Sequence, residues 1–400
     1  MKVEVLAKIV EEMVPTLLQK KTDSVEWGTE VTINFEGNNI DYITYKASFN
    51  FGVLGQLKNY IEEKAKDYLT LSINSPILEK DWVCKDIGTK WLELNSSIKK
   101  EEWISIIEYC EEQINRTYEN MPVSWNFIID SKLTVTSSVS LKDSGDVKLL
   151  DVLAASNFTY FLVDEKLNID SYSCINWDET TNSKSYSSVP NFLQPYWNRV
   201  DQGKIGVSIT RAGDIIIYSN PKGMLLSIRK GRWTIYENAS VKNMFGWCLK
   251  CADSMSYWVG CNIFDAVWDL SYRRHGALII VSDDDSYEKH IINKNSIFVS
   301  SVCTGIRKAL KSSFELVDMN KLDKKSIFLE LASVDGAVVV DKLTGKIKSF
   351  GSIVETHANA GEGNGARTTA AKSAIWHGHM YPVKVSSDGD ITLYVIIKIK

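Results

Sequence analysis

The residues best suited to chemistry lie near the C-terminus. Gly361-Glu362-Gly363-Asn364-Gly365-Ala366-Arg367-Thr368-Thr369-Ala370-Ala371-Lys372 is a Gly-rich loop running into a helical pattern. A helix N-terminus presents free N–H donors and a partial positive charge, which suits an anion. Glycines allow close backbone approach, Arg367 can fork onto phosphate oxygens, and the Thr368 and Thr369 hydroxyls can donate or cap. The same letters also describe a plain loop ahead of a Thr-capped helix. They form neither a Walker A loop, which needs Gly-Lys-Ser/Thr, nor a dinucleotide fingerprint directly after a strand.

Two further pieces lie upstream. In Leu331-Ala332-Ser333-Val334-Asp335-Gly336-Ala337-Val338-Val339-Val340-Asp341, Asp335 opens a continuous apolar strand. A carboxylate at a strand mouth can hold a divalent cation against phosphates, although a simple turn Asp has the same signature. In Arg273-Arg274-His275-Gly276-Ala277-Leu278-Ile279-Ile280-Val281, basic residues and Gly-Ala precede another buried strand. Read plainly, this is a helix end with cationic residues and a Gly stop. Cys248-Leu249-Lys250-Cys251 with Cys261 invites a zinc reading, but lacks a fourth ligand nearby, and packed free thiols explain it better. Asp283-Asp284-Asp285 reads as a solvated turn.

The elements that must position these residues are coarse but readable. Val3 to Lys20 carries apolar residues at helical spacing, as do Gly55 to Leu69 and Lys100 to Tyr118, the last with Ser96-Ser97 as its expected cap. Val31 to Phe35 alternates like a strand before a turn at Gly37-Asn38-Asn39. Phe158 to Val163, Ile205 to Ile209, Asp214 to Tyr218 and Gly223 to Ile228 then read as short strands, with Asp178 to Ser188 an exposed loop. Val241 to Asp253 and Ile263 to Arg274 return to helical spacing. The pattern implies an α+β module at 1–145, a β-rich module at 146–236, and an α/β domain at 237–400. Trp82, Trp91, Trp103, Trp125, Trp177 and Trp197 read as core and interface anchors.

Composition narrows the function classes. With 46 Lys+Arg against 50 Asp+Glu, the chain lacks the basic excess of a nucleic-acid polymer binder. No apolar run approaches the roughly 20 residues that span a bilayer, and no signal-peptide h-region opens the sequence. Seven scattered cysteines do not look like a disulfide framework. A cytoplasmic chain without a membrane partner is expected.

Taken together, Arg-His-Gly-Ala-Leu-Ile, Asp-Gly-Ala-Val-Val and Gly-x-Arg-x-x-Ala-Ala resemble the diadenylate cyclase domain (the DAC, or DisA N-terminal, family) in order and spacing. The resemblance covers roughly the last 150 residues. It makes the middle module, 146–236, a sensor or linker. It implies a mixed sheet flanked by helices, with two domains face to face, each holding one ATP. Each 3′-hydroxyl would attack the partner's α-phosphate with Mg²⁺ or Mn²⁺ present, giving cyclic di-AMP and two pyrophosphates. By position it makes Asp335 the catalytic and metal residue and Arg367 a catalytic and phosphate residue. Gly336 and Ala337 would line the ribose, Gly276, Ala277 and Leu278 the adenine pocket, and Gly365, Thr368 and Thr369 the phosphates. Family members carry Arg-His-Arg where this chain reads Arg367-Thr368-Thr369. Losing a cation at that point should impair phosphoryl transfer more than binding. The expected partner is therefore ATP or a cyclic adenine dinucleotide bound by a sensor that can form a homodimer or larger homo-oligomer, with cyclase action as the alternative. Lys372, His357, His377 and His379 are the candidate replacement cations.

Overall fold

The computed structural model describes residues 3–14, 19–20, 29–35, 38–44, 51–71, 75–135, 139–142, 147–155, 158–175, 189–201, 203–236, 256–282, 285–298, 305, 325–361 and 365–394. The readings made at 178–188 and 241–253, and at Gly37, Trp177, Cys248, Cys251, Asp283, Asp284 and Gly363, fall outside them. The chain forms two compact units, Met1–Val241 and Lys242–Lys400. Among the described residues, no helix is long and apolar enough to cross a membrane.

The first unit begins with α1 (Val3–Met13), β1 (Gln19–Lys20), β2 (Thr29–Phe35), β3 (Asn38–Thr44), α2 (Phe51–Thr70), α3 (Pro76–Asn95) and α4 (Lys100–Gln113). It continues with β4 (Thr117–Tyr118), β5 (Met121–Pro122), β6 (Trp125–Ile129), α5 (Val147–Ala155), β7 (Thr159–Val163) and β8 (Ile169–Cys174). It closes with α6 (Gln194–Trp197), β9 (Ile205–Ile209), β10 (Ile215–Ser219), β11 (Gly223–Arg229) and β12 (Arg232–Ile235). A seven-stranded sheet runs in the order β12-β11-β10-β9-β6-β7-β8.

That order corrects the expected boundary near residue 145. Trp125–Ile129, assigned to an N-terminal module, pairs with β9 on one side and β7 on the other. One apolar core extends from Leu6 through Trp91, Trp103 and Trp125 to Trp233 and Ile235, so the α+β and β-rich parts are a single unit. Helix α3 is fastened to the sheet by the Trp91 indole N–H, which donates to the Leu225 carbonyl at 2.9 Å. Trp91, Trp103, Trp125 and Trp197 are buried, whereas Trp82 is exposed.

Three helix readings also change. The helix expected from Lys100 to Tyr118 ends at Gln113, and Thr117–Tyr118 instead pairs antiparallel with Met121–Pro122. The pattern from Val3 to Lys20 stops at Met13, because Pro15 disfavours the helical conformation at Val14 and donates no N–H. Ser96 does not cap α4, whose N-cap position is Lys99. Instead it terminates α3, its hydroxyl donating to the Leu92 carbonyl at 2.7 Å and accepting the Trp103 indole N–H at 3.0 Å.

The second unit contains α7 (Tyr257–Tyr272), β13 (Ala277–Ser282), α8 (Lys325–Ser333), β14 (Ala337–Asp341), β15 (Ile347–Ser352), α9 (Ala366–His377), β16 (Met380–Val385) and β17 (Ile391–Leu393). Short 3₁₀ helices lie at Asp285–His290, Lys294–Ser296 and Ala358–Ala360. The sheet order is β15-β14-β13-β16-β17, with β13 and β14 parallel and the other pairs antiparallel. Every residue of β13 is buried, as its unbroken apolar run requires of a central strand covered on both faces. Leu278, Ile280, Ala337 and Val339 pack with Ala371 and Ala374 of α9. The alternate residues point to the opposite face, against which α7 and α8 pack. This unit is the mixed sheet flanked by helices that the C-terminal motifs imply.

Candidate functional site

The three chemically suggestive segments meet at one end of this second sheet. Helix α7 ends in a Schellman arrangement: the His275 N–H donates to the Leu270 carbonyl at 3.0 Å, and the Arg274 N–H to that of Ser271 at 3.3 Å. Arg274, with φ 58°, holds the left-handed position. The expected Gly stop is thus filled by Arg274, and Gly276 is left for another purpose. A Cβ on Gly276 would lie 2.4 Å from Nη1 of Arg367 and 3.0 Å from its Cζ. Gly276 is the floor on which the Arg367 guanidinium rests.

The parallel register sets Leu278 opposite Ala337, so Gly276 and Asp335, each two residues earlier, stand level at adjacent strand mouths. His275 Nδ1 lies 3.1 Å from the Ser333 hydroxyl across the same gap. The Asp335 carboxylate is exposed and has no hydrogen-bond or ionic partner among the described residues. Gly336, with φ 105°, lets the backbone of Gly351 pass, where a Cβ would come within 2.6 Å of the Gly351 carbonyl carbon. Ala277, Leu278 and Ala337 are almost wholly buried in the sheet. They shape the interior beneath the strand mouths.

Gly365, with φ 113°, is the N-cap of α9 and supplies no side-chain cap. The Thr368 and Thr369 N–H groups both turn back to the Gly365 carbonyl at 3.1 Å. The Thr369 hydroxyl also points to that carbonyl, at 3.4 Å, so its proton is engaged. Thr368 differs. Its hydroxyl oxygen accepts from Lys384 Nζ at 3.2 Å, which leaves the hydroxyl proton free to donate. Arg367 Nε is buried without a hydrogen-bond partner among the described residues. A buried, unpaired guanidinium nitrogen is costly, and an anion would relieve that cost.

Lys384 is the functional candidate that sequence reading missed. It lies sixteen residues beyond Thr368 and reaches it because β16 pairs antiparallel with β13, Lys384 opposite Leu278. Alternation within β16 was the only available signal. The proposed replacement cations His357 and His377 lie elsewhere. His377 is the last residue of α9, ten residues or about 15 Å along the axis from Arg367. The His357 N–H is bound to the Ser373 hydroxyl, nearer that same end.

Residues 264–398 match the family model DAC, described as DisA bacterial checkpoint controller nucleotide-binding. The C-terminal unit carries a DAC domain. No curated protein matches the chain. Among solved structures, the chain is similar to a double mutant of DacA from Staphylococcus aureus, at 21% identity over 36% of this chain and 84% of that one, with a TM-score of 0.22. It is also similar to a hypothetical membrane spanning protein from Bacillus cereus, at 22% identity over 36% and 71% of the two chains, with a TM-score of 0.23. The family model, and not these overlaps, carries the assignment. The DAC domain thus belongs to a nucleotide-binding family and contains Gly276, Asp335, Arg367 and Lys384 in their observed arrangement.

The divalent cation that such a domain implies can be tested against its residues. Asp335 is one free carboxylate, and no cluster of three ligands surrounds it among the described residues. That suits Mg²⁺ or Mn²⁺, which bind through one or two carboxylates together with substrate phosphates. Asp335 would hold such an ion jointly with a nucleotide.

Proposed function

We propose that the DAC domain binds an adenine nucleotide or a cyclic adenine dinucleotide and that the chain acts as a cytoplasmic signalling sensor. The observation that carries this reading is Arg367, held over Gly276 with a buried, unpartnered Nε beside the exposed start of α9. Phosphate would accept from the Ala366 and Arg367 N–H groups, from the guanidinium fork and from the Thr368 hydroxyl, with Lys384 adding a second positive charge. Gly276, Ala277 and Leu278 would border the base, and Gly336 and Ala337 the ribose. Homodimers or larger assemblies are expected if two sites share one cyclic ligand.

A second reading, synthesis of cyclic di-AMP from two ATP, draws support from the exposed and unshared carboxylate of Asp335. Asp335 would hold a divalent cation at the strand mouth, which would supply charge neutralisation as each 3′-hydroxyl displaces pyrophosphate from the partner's α-phosphate. The purified chain incubated with ATP and Mg²⁺ or Mn²⁺, its nucleotides separated by chromatography, discriminates the two. The sensor reading expects no product. Cyclic di-AMP that disappears in Asp335→Asn would establish the cyclase instead.

A further inference from the structure

A second cluster of ligand-type side chains lies at the other end of α9. The 3₁₀ turn after β13 ends at His290, the segment after β15 brings Glu355, and α9 ends at His377. One ligand atom from each of His290, Glu355 and His377 lies within 4.8 Å of the other two. His290 Nδ1 is 3.8 Å from Glu355 Oε2, and the two imidazoles stack with centroids 3.9 Å apart.

The backbone holds this group in place. The Glu355 N–H donates to the His290 carbonyl at 2.8 Å, and Ile291 and Val354 form an antiparallel bridge beside it. His377 Nε2 lies 2.8 Å from the Glu355 backbone oxygen. A carbonyl can only accept, so Nε2 carries the proton and Nδ1 keeps its lone pair. An imidazole fixed in one tautomer by a backbone carbonyl is the usual outer-shell support of a metal-ligating histidine. The ring of His357 stands edge-on to His377 at 5.1 Å, with its Nδ1 engaged by the Asn359 N–H.

We propose that His290, Glu355 and His377 form a site for a zinc-class divalent transition-metal ion, which ties the C-terminal end of α9 to the loops after β13 and β15. Two neutral imidazoles and a carboxylate suit Zn²⁺, and related ions of borderline softness, better than Mg²⁺ or Ca²⁺. Zn–N bonds of about 2.0–2.1 Å require ligand atoms about 3.3 Å apart, so loading rotates these rim side chains inward. Three protein ligands leave a fourth position for water. The site stands on its own geometry, independent of what the strand mouths bind.

The test uses the full chain, stripped with a chelator and titrated with Zn²⁺ by calorimetry, with Co²⁺ as a spectroscopic probe. The expected result is one equivalent of Zn²⁺ per chain and an intense tetrahedral Co²⁺ band. His290→Ala and His377→Ala should each weaken binding at least tenfold, while His379→Ala and His275→Ala leave it unchanged. Glu355 is exposed, so Glu355→Gln removes a ligand without disturbing the core. It should weaken binding severalfold with an unchanged circular dichroism spectrum. Absence of stoichiometric binding would overturn the proposal, as would full affinity in the Glu355→Gln or histidine-ligand variants, or loss of affinity in the two controls.

Discussion

At the scale of single residues, two glycines at neighbouring strand mouths separate binding from folding. In Gly276→Ala the new methyl meets only the tip of a flexible side chain, 2.4 Å from Arg367 Nη1. The guanidinium shifts and the fold absorbs it, at a cost under about 1 kcal/mol. Thermal unfolding of Gly276→Ala should therefore stay close to that of the parent, while nucleotide affinity measured by calorimetry falls about tenfold. Gly336→Ala differs because the methyl meets the Gly351 backbone and φ is 105°. Strain and overpacking of about 1–3 kcal/mol each should lower its melting temperature clearly. Both glycines are plain in the sequence, but their opposite roles are not. That distinction depends on which chain passes over each one, and residue types along one strand do not specify it. Lys384 was hidden for the same reason: its partner Thr368 is supplied by sheet pairing and not by local spacing.

Among the elements, the helical layer of the first unit contains a polar knot that should make stability depend on pH. Asp86 on α3 accepts from Tyr60 on α2 at 2.8 Å, from Tyr68 at 2.6 Å, and from Lys100 at the start of α4. Burial pushes its carboxyl upward, but the bonds from Lys100, Tyr68 and Tyr60 outweigh that and hold it below its ordinary 3.8. A depressed carboxylate contributes stability that is present above its unfolded value and is lost as pH falls through the folded one. The parent should therefore lose stability below about pH 4. Asp86→Asn should be less stable by about 1–3 kcal/mol near neutrality, with a flatter acid limb in denaturant titrations. Each helix of this knot touches sequence signals differently. Helix α2 follows its apolar spacing and α4 follows it only as far as Gln113, whereas α3 announces itself only through Ser75-Pro76, since Pro suits the first turn of a helix. The strands β9, β10 and β11 were legible because β-branched runs separated by Gly and Asn-Pro turns leave little alternative.

For the whole molecule, the sequence suggested three parts where the structure has two units. The reason is specific. Trp125–Ile129 looks like the end of a helical module, yet its partners β7 and β9 lie thirty and eighty residues later, and long-range strand pairing leaves no local trace. The C-terminal unit was legible because its signals are short motifs adjoining the strands they serve. The near-balanced charge fits a small anionic ligand held by Arg367, Lys384 and a helix start better than a polymer spread over a basic face. On the proposed function, these groups bind an adenine nucleotide through its phosphates. Calorimetric titration of the full chain and of Arg367→Ala with ATP and with cyclic di-AMP tests it most directly. Saturable binding of at least one of the two by the parent is expected, weakened tenfold or more in Arg367→Ala with the fold intact. Failure of both nucleotides to bind the parent, or equal affinity in Arg367→Ala, would contradict it.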